Sequence, residues 1–245
     1  MKTALITGAN KSIGFEVAKQ LAQKQHFIYL GSRDLKKGEE AVTKLKSLGL
    51  NNVEAIQIDV TVPDSVSAAA TALAQKINSL DVLINNAGIS GGFPQSPTEV
   101  DTDMIRNVFE TNFFGPIEVT RKFMGLLKKS ASPRIVNVTS GLGSLTLHSD
   151  PSWKYYSVKG AAYGPSKTAL NAYTVALAHE LKDTNFKVNV IDPGYTATDF
   201  NQHRGPGNVE DAARFVAKYA LLGDDGPTGR FFSLDFEGKD NESPW

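Results

Sequence analysis

The chain has 245 residues, 26 of them basic and 26 acidic, so its formal net charge is zero and no long-range field steers it to nucleic acid or an anionic membrane. It contains no cysteine, which removes disulfides, thiolate nucleophiles and thiolate metal sites, and its four histidines are scattered, so no metal is expected. The length suits one large core, and a single domain over residues 1–245 is expected, with a small molecule as its ligand.

Met1 and Lys2 lead at once into a strand-like run over residues 3–7, too short for the apolar part of a signal peptide. No segment approaches the length of a membrane span, so a cytoplasmic protein is expected. The run is followed by the turn Thr7-Gly8-Ala9-Asn10-Lys11-Ser12-Ile13-Gly14, which opens a helical pattern over 13–25. Glycines in such a turn let the backbone approach a pyrophosphate, whose charge is met by the helix amino terminus.

The alternation then repeats along the chain. A run over 27–30 ends near Ser32 and Arg33 and precedes a helical pattern over 35–48; a run over 53–58 ends at Asp59 and Val60 and precedes a pattern over 64–77. Residues 82–84 lead into Asn85-Asn86-Ala87-Gly88, and residues 135–138 lead into Thr139 and Ser140. Residues 188–191 precede Pro193-Gly194-Tyr195-Thr196-Ala197-Thr198, and a last run covers 231–234. Strands alternating with helices imply an α/β fold: a doubly wound parallel sheet of about seven strands with helices on both faces, and ligands beyond the carboxyl ends of the strands. No internal repeat, linker or low-complexity run interrupts it.

Two tyrosine–lysine pairs have the spacing that puts both side chains on one helix face, Tyr155 with Lys159 and Tyr163 with Lys167. Context separates them. Gly160-Ala161-Ala162 follows the first pair and reads as a connector, whereas Leu170, Tyr173, Leu177 and Leu181 continue the second at helical intervals. Pro165 agrees, because proline is tolerated in a first helical turn. A cation held beside a phenol favours the phenolate, so Tyr163 with Lys167 is the candidate proton donor.

Taken in order, these motifs resemble the short-chain dehydrogenase/reductase family over essentially the whole chain. The family turn reads Thr-Gly-x-x-x-Gly-x-Gly, and the family also carries Asn-Asn-Ala-Gly, a later Asn matched by Asn112 in Thr111-Asn112-Phe113-Phe114-Gly115, a serine matched by Ser140, Tyr-x-x-x-Lys and Pro-Gly. The resemblance implies a reductase in which hydride passes from a dihydronicotinamide to a carbonyl carbon. Tyr163 would supply the proton, Ser140 polarise the oxygen, Lys167 lower the phenol's pKa and hold the nicotinamide ribose, and Asn112 connect Lys167 to solvent. The cofactor-binding set implied is Gly8, Asn10, Lys11, Ser12, Ile13, Gly14, Ser32, Arg33, Asp59, Val60, Asn86, Ala87, Gly88, Tyr163, Lys167, Pro193, Gly194, Thr196 and Thr198.

Ser32 stands where the family places an acidic group on a free ribose 2′-hydroxyl, and Arg33 follows it, with Lys11 expected to project to the same place. NADP(H) is therefore the cofactor expected. Ser12 departs from the family by replacing the middle glycine. The 23 positions from Ser140 to Tyr163 exceed the usual spacer, and a substrate-side insertion near 145–160 resembles that of the monomeric carbonyl-reductase branch. Monomer and homo-oligomer both stay open. A carbonyl reductase acting on ketones, aldehydes or quinones leads this reading. The alternatives are a dehydrogenase for one secondary alcohol in a biosynthetic route, an NADP-sensing protein without turnover, and a methyltransferase, which has no use for the Tyr–Lys pair.

Overall fold

The computed structural model describes all 245 residues. Seven strands form one sheet: β1 (Thr3–Ile6), β2 (Phe27–Ser32), β3 (Val53–Gln57), β4 (Val82–Asn85), β5 (Arg134–Val138), β6 (Lys187–Asp192) and β7 (Phe231–Ser233). Their order is β3-β2-β1-β4-β5-β6-β7, and every pairing is parallel. The expected doubly wound sheet is thus present, with its switch point between β1 and β4, where the chain reverses its direction of winding and leaves a crevice.

Eight helices surround it: α1 (Ser12–Gln23), α2 (Leu35–Ser47), α3 (Pro63–Ala74), α4 (Thr102–Phe109), α5 (Gly115–Leu127), the single turn α6 (Leu145–His148), α7 (Tyr163–Glu180) and α8 (Val209–Ala220). Alternation along each strand sends side chains to opposite faces. Ala4, Ile6, Ile28, Leu30, Val82 and Ile84 pack against α1, α2 and α8, while Leu5, Tyr29, Leu83 and Ile135 pack against α3, α5 and α7. Burial of each large aliphatic or aromatic side chain in these two layers contributes about 1.5–3 kcal/mol.

The helices begin where local chemistry allows. The Asp34 carboxylate accepts the Lys37 backbone N–H at the start of α2, Pro63 opens α3, and Asn208 accepts from the Asp211 N–H at the start of α8. Between α4 and α5, Glu110–Phe114 forms a π-helical segment, wound one residue wider than the helices on either side. No helix is long and apolar enough to cross a membrane.

Candidate active site

The flagged residues collect at the carboxyl ends of the strands. Gly8 follows β1, Ser32 closes β2, Asp59 and Val60 follow β3, Asn86 to Gly88 follow β4, Ser140 follows β5, and Pro193 and Gly194 follow β6. The turn after β1 meets the turn after β4, and that turn meets Lys167: a Cβ built on Gly8 would stand 2.9 Å from the Ala87 Cα, and one on Gly88 would stand 3.6 Å from the Lys167 Nζ.

In the first turn, Asn86 Nδ2 donates to the carbonyls of Thr7 (2.9 Å) and Gly8 (3.1 Å), tying β4 to the glycine turn. Gly14 is required there: a Cβ would lie 2.5 Å from Asn86 Nδ2 and 2.8 Å from the Gly8 carbonyl oxygen. Ser12, the departure from the family pattern, holds a left-handed φ of 51°. The glycine it replaces adopts that backbone freely; serine does so against its own Cβ, at a cost of about 1 kcal/mol. The amino end of α1 has no side-chain cap, so its first N–H groups are free to meet a phosphate. Asn10 and Ile13 flank this end, each half-buried.

At the end of β2 the Ser32 hydroxyl is buried and donates to the Asp34 carbonyl, and no acidic side chain stands in its place. Arg33 is exposed and forms no ion pair, since Asp34 caps α2 and faces Lys37 at 4.0 Å. Lys11 does not reach this corner. Its ammonium pairs instead with Asp199 at 3.1 Å, on the segment after Thr198. Asp59 accepts from the Thr61 N–H and hydroxyl, and Val60 packs on Gly115 at the start of α5. The glycine cradle, the uncapped helix end and the free Arg33 fit a dinucleotide with a 2′-phosphate.

Across the crevice, α7 begins at Tyr163 itself, so Tyr163 and Lys167 lie one turn apart on the same face at its start; the other pair does not form. The Tyr155 hydroxyl instead donates to Asp235 (2.9 Å), and Lys159 donates to the His148 carbonyl (2.7 Å). Lys167 is buried, its Nζ donating to the Val138 carbonyl at 2.9 Å and standing 5.8 Å from the centre of the Tyr163 ring. Burial lowers its pKa to about 8, with the nearby Asp192 opposing the shift.

Tyr163 behaves differently from the expectation that Lys167 would acidify it. Burial raises the phenol's pKa above its ordinary value, Asp192 adds to the rise, and only Ser140 acts the other way. The Lys167 ammonium, though close to the ring, is turned to the Val138 carbonyl. Ser140 Oγ accepts the Leu142 N–H at 3.2 Å.

Asn112 lies fully buried in the π-helical segment. Its Oδ1 accepts from the Ile89 N–H (2.9 Å), and its Nδ2 donates to the Ile89 carbonyl (2.9 Å) and to Ser166 Oγ (3.1 Å). A Cβ on Gly88 would touch both this Oδ1 (3.4 Å) and the Lys167 ammonium, so Asn112 and Lys167 border one small space. Thr196 donates to the Pro193 carbonyl (3.1 Å), and Thr198 caps a short turn with Asn201; both threonines are buried.

Sequence reading missed Asp192, the last residue of β6. It is buried, accepts from Ser233 Oγ (2.7 Å) and the Gly194 N–H (3.0 Å), and faces both Tyr163 and Lys167. Burial raises its carboxyl pKa to about 6 against these hydrogen bonds. A charged residue closing an otherwise apolar strand was the visible signal. Phe200, whose ring centre lies 5.4 Å from that of Tyr163, gave none. A cavity of about 470 Å³ opens beside Tyr163 and is walled by Phe93, Pro97, Leu142, Leu145 and Val158.

A family model described as short chain dehydrogenase matches residues 2–208. The chain is 35% identical to (−)-isopiperitenone reductase of Mentha piperita, over 95% of this chain and 96% of that protein. It superposes on salutaridine reductase from Papaver somniferum with a TM-score of 0.82 at 31% identity, covering 96% of this chain and all of that one. The NADPH-bound carbonyl reductase from chicken fatty liver gives a TM-score of 0.84 at 26% identity over the full length of this chain and 99% of that one.

Proposed function

Because the chain belongs to the short-chain dehydrogenase/reductase family, we propose that it reduces a carbonyl group of a small organic molecule to an alcohol with NADPH. The observation that carries this reading is the convergence of Ser140, Tyr163 and Lys167 on the crevice next to the glycine turn. Relatives with reductase names at this level of identity support the reaction class. The unpaired Arg33 beside a buried Ser32 supports NADPH over NADH, since a guanidinium binds a 2′-phosphate bidentately and no carboxylate repels it.

Bound along the glycine turn, NADPH would supply the hydride. The chain's own residues handle the oxygen. Ser140 offers its hydroxyl to the carbonyl oxygen and draws charge onto it as the alkoxide develops. Tyr163 gives its proton to that oxygen; a raised phenol pKa keeps the group protonated until then. Lys167, positive at neutral pH with a pKa of about 8, stabilises the phenolate left behind and is placed to hold the nicotinamide ribose. Asn112, which shares a space with the ammonium, is placed to order a water that returns the proton. The cavity walled by Phe93, Leu142, Leu145 and Val158 suits an apolar body on the substrate.

NADPH consumption across a panel of ketones, aldehydes and quinones, with product chirality recorded, tests the proposal. At least one class is expected to be turned over to a single enantiomer, faster with NADPH than with NADH. Absence of turnover across the panel, with NADPH binding intact, would favour a sensor instead.

A further inference from the structure

The amino end of α7 carries the reactive tyrosine, yet the residue before it cannot cap it: Ala162 has no side chain to accept the first N–H groups. Those groups are met from elsewhere in the chain. Gln95, 67 and 68 positions earlier, points its Oε1 at the Ala162 N–H (3.2 Å) and the Tyr163 N–H (3.0 Å). Its Nε2 donates to the carbonyls of Ser90 (2.6 Å) and Gly92 (2.7 Å). The amide thereby uses all four of its hydrogen-bonding positions, and the residue is 2% exposed. The fit extends to the backbone. The Gln95 carbonyl accepts the Ala161 N–H (3.0 Å), and a Cβ on Gly160 would lie 2.8 Å from Oε1.

We infer that Gln95 is a positioning residue for the reduction: its amide oxygen fixes the first turn of α7 and hence the Tyr163 phenol, while its amide nitrogen locks the loop of residues 90–95 at the mouth of the cleft to that same turn. This rests on the reductase reading. The two ends of one amide serve two purposes, and misplacing a reacting group by about 1 Å costs on the order of 100-fold in rate. The loop contributes Phe93 and Gln95 to the cavity wall, and the segment ahead of α7 contributes Val158, Lys159 and Gly160. Gln95 therefore makes the substrate side and the proton donor one mechanical unit.

Two substitutions separate the roles. Gln95→Glu keeps acceptor oxygens for the Ala162 and Tyr163 N–H groups, where negative charge is favourable at a helix amino end, but sets a carboxylate against the Ser90 and Gly92 carbonyls. Gln95→Met fills nearly the same volume and removes both sets of bonds. With a ketone that the wild type reduces, Gln95→Glu is expected to raise KM about tenfold with kcat within threefold, and Gln95→Met to lower kcat about 30- to 100-fold. NADPH affinity stays within twofold in both. Amide hydrogen exchange at Ala162 and Tyr163 is expected to quicken in the Met variant and not in the Glu variant.

Equal losses of kcat in the two variants, or unchanged exchange at Ala162 and Tyr163 in Gln95→Met, would overturn the inference. Exchange is read without substrate. A wild type inactive on every carbonyl, with the exchange pattern divided as expected, would therefore discredit the reductase reading and leave the Gln95 clamp standing.

Discussion

Beneath the Tyr163 phenol lie two buried groups of opposite sign, Lys167 and Asp192, and their titrations set the pH behaviour of the site. In the free enzyme, kcat/KM for reduction is expected to fall as pH rises through about 8, where Lys167 loses its proton; a rate profile flat to pH 10 would contradict this. Asp192 acts on stability. Its folded-state pKa of about 6 lies above the unfolded value of about 3.8, so between these values the folded protein binds more protons and stability falls as pH rises. The loss is on the order of 3 kcal/mol and is complete only above the folded-state pKa, by about pH 7. Chemical denaturation of wild type and Asp192→Asn at pH 4 and pH 7 is expected to show the wild type losing stability relative to the variant over that interval.

Ser12→Gly relieves the left-handed backbone and is expected to raise stability by up to about 1 kcal/mol while leaving NADPH affinity within a few-fold. A large tightening of binding would show that the serine side chain obstructs the phosphates. Tyr163 and Lys167 were legible because spacing of four on a helix places two side chains together whatever the rest of the fold does. Gln95 was not, since its partners lie 67 and 68 positions away and only the packed chain brings them together.

At the scale of elements, the strands were readable from short β-branched runs, and differences from the expected bounds have local causes. β2 continues to Ser32 because Gly31 and Ser32 pair with Ile56 and Gln57 of β3, although neither residue favours a strand. α1 stops at Gln23, short of 25, and Gln25 turns left-handed at φ 60°. The π-helical segment around Asn112 was not legible, because a single wide turn of five residues is too short for its change of register to stand out in a hydrophobic pattern. The junction of β2 and α2 carries its own prediction. Arg33→Ala is expected to weaken NADPH binding about 10- to 100-fold with little effect on NADH, measured by fluorescence titration of both. Equal affinities before and after the change would remove Arg33 from cofactor choice.

For the whole molecule, the parallel sheet separates chemistry from support. The carboxyl ends hold the crevice, and the amino end of β5 holds Arg134, buried and donating to the carbonyls of Leu222, Pro133 and Asn185 and to Asp224 at 2.8 Å. Arg134→Ala leaves the Leu222 and Asn185 carbonyls without that donor and is expected to cost about 3 kcal/mol of stability with kcat unchanged. Loss of kcat without loss of stability would mean that the two ends of the sheet are coupled. The doubly wound architecture itself was legible because strand and helix patterns alternate along the chain, which leaves few other topologies. How the segments over the crevice meet, with Lys11 on Asp199 and Phe200 on Tyr163, depends on side-chain reach that no periodicity encodes.

The most direct test follows deuterium from NADPH labelled at the transferring position of the nicotinamide into a ketone. Wild type is expected to place the label on the carbinol carbon of one enantiomer, and Tyr163→Phe to bind NADPH as tightly while transferring at least about 100-fold more slowly. Transfer by Tyr163→Phe at the wild-type rate would show that the proton comes from another group.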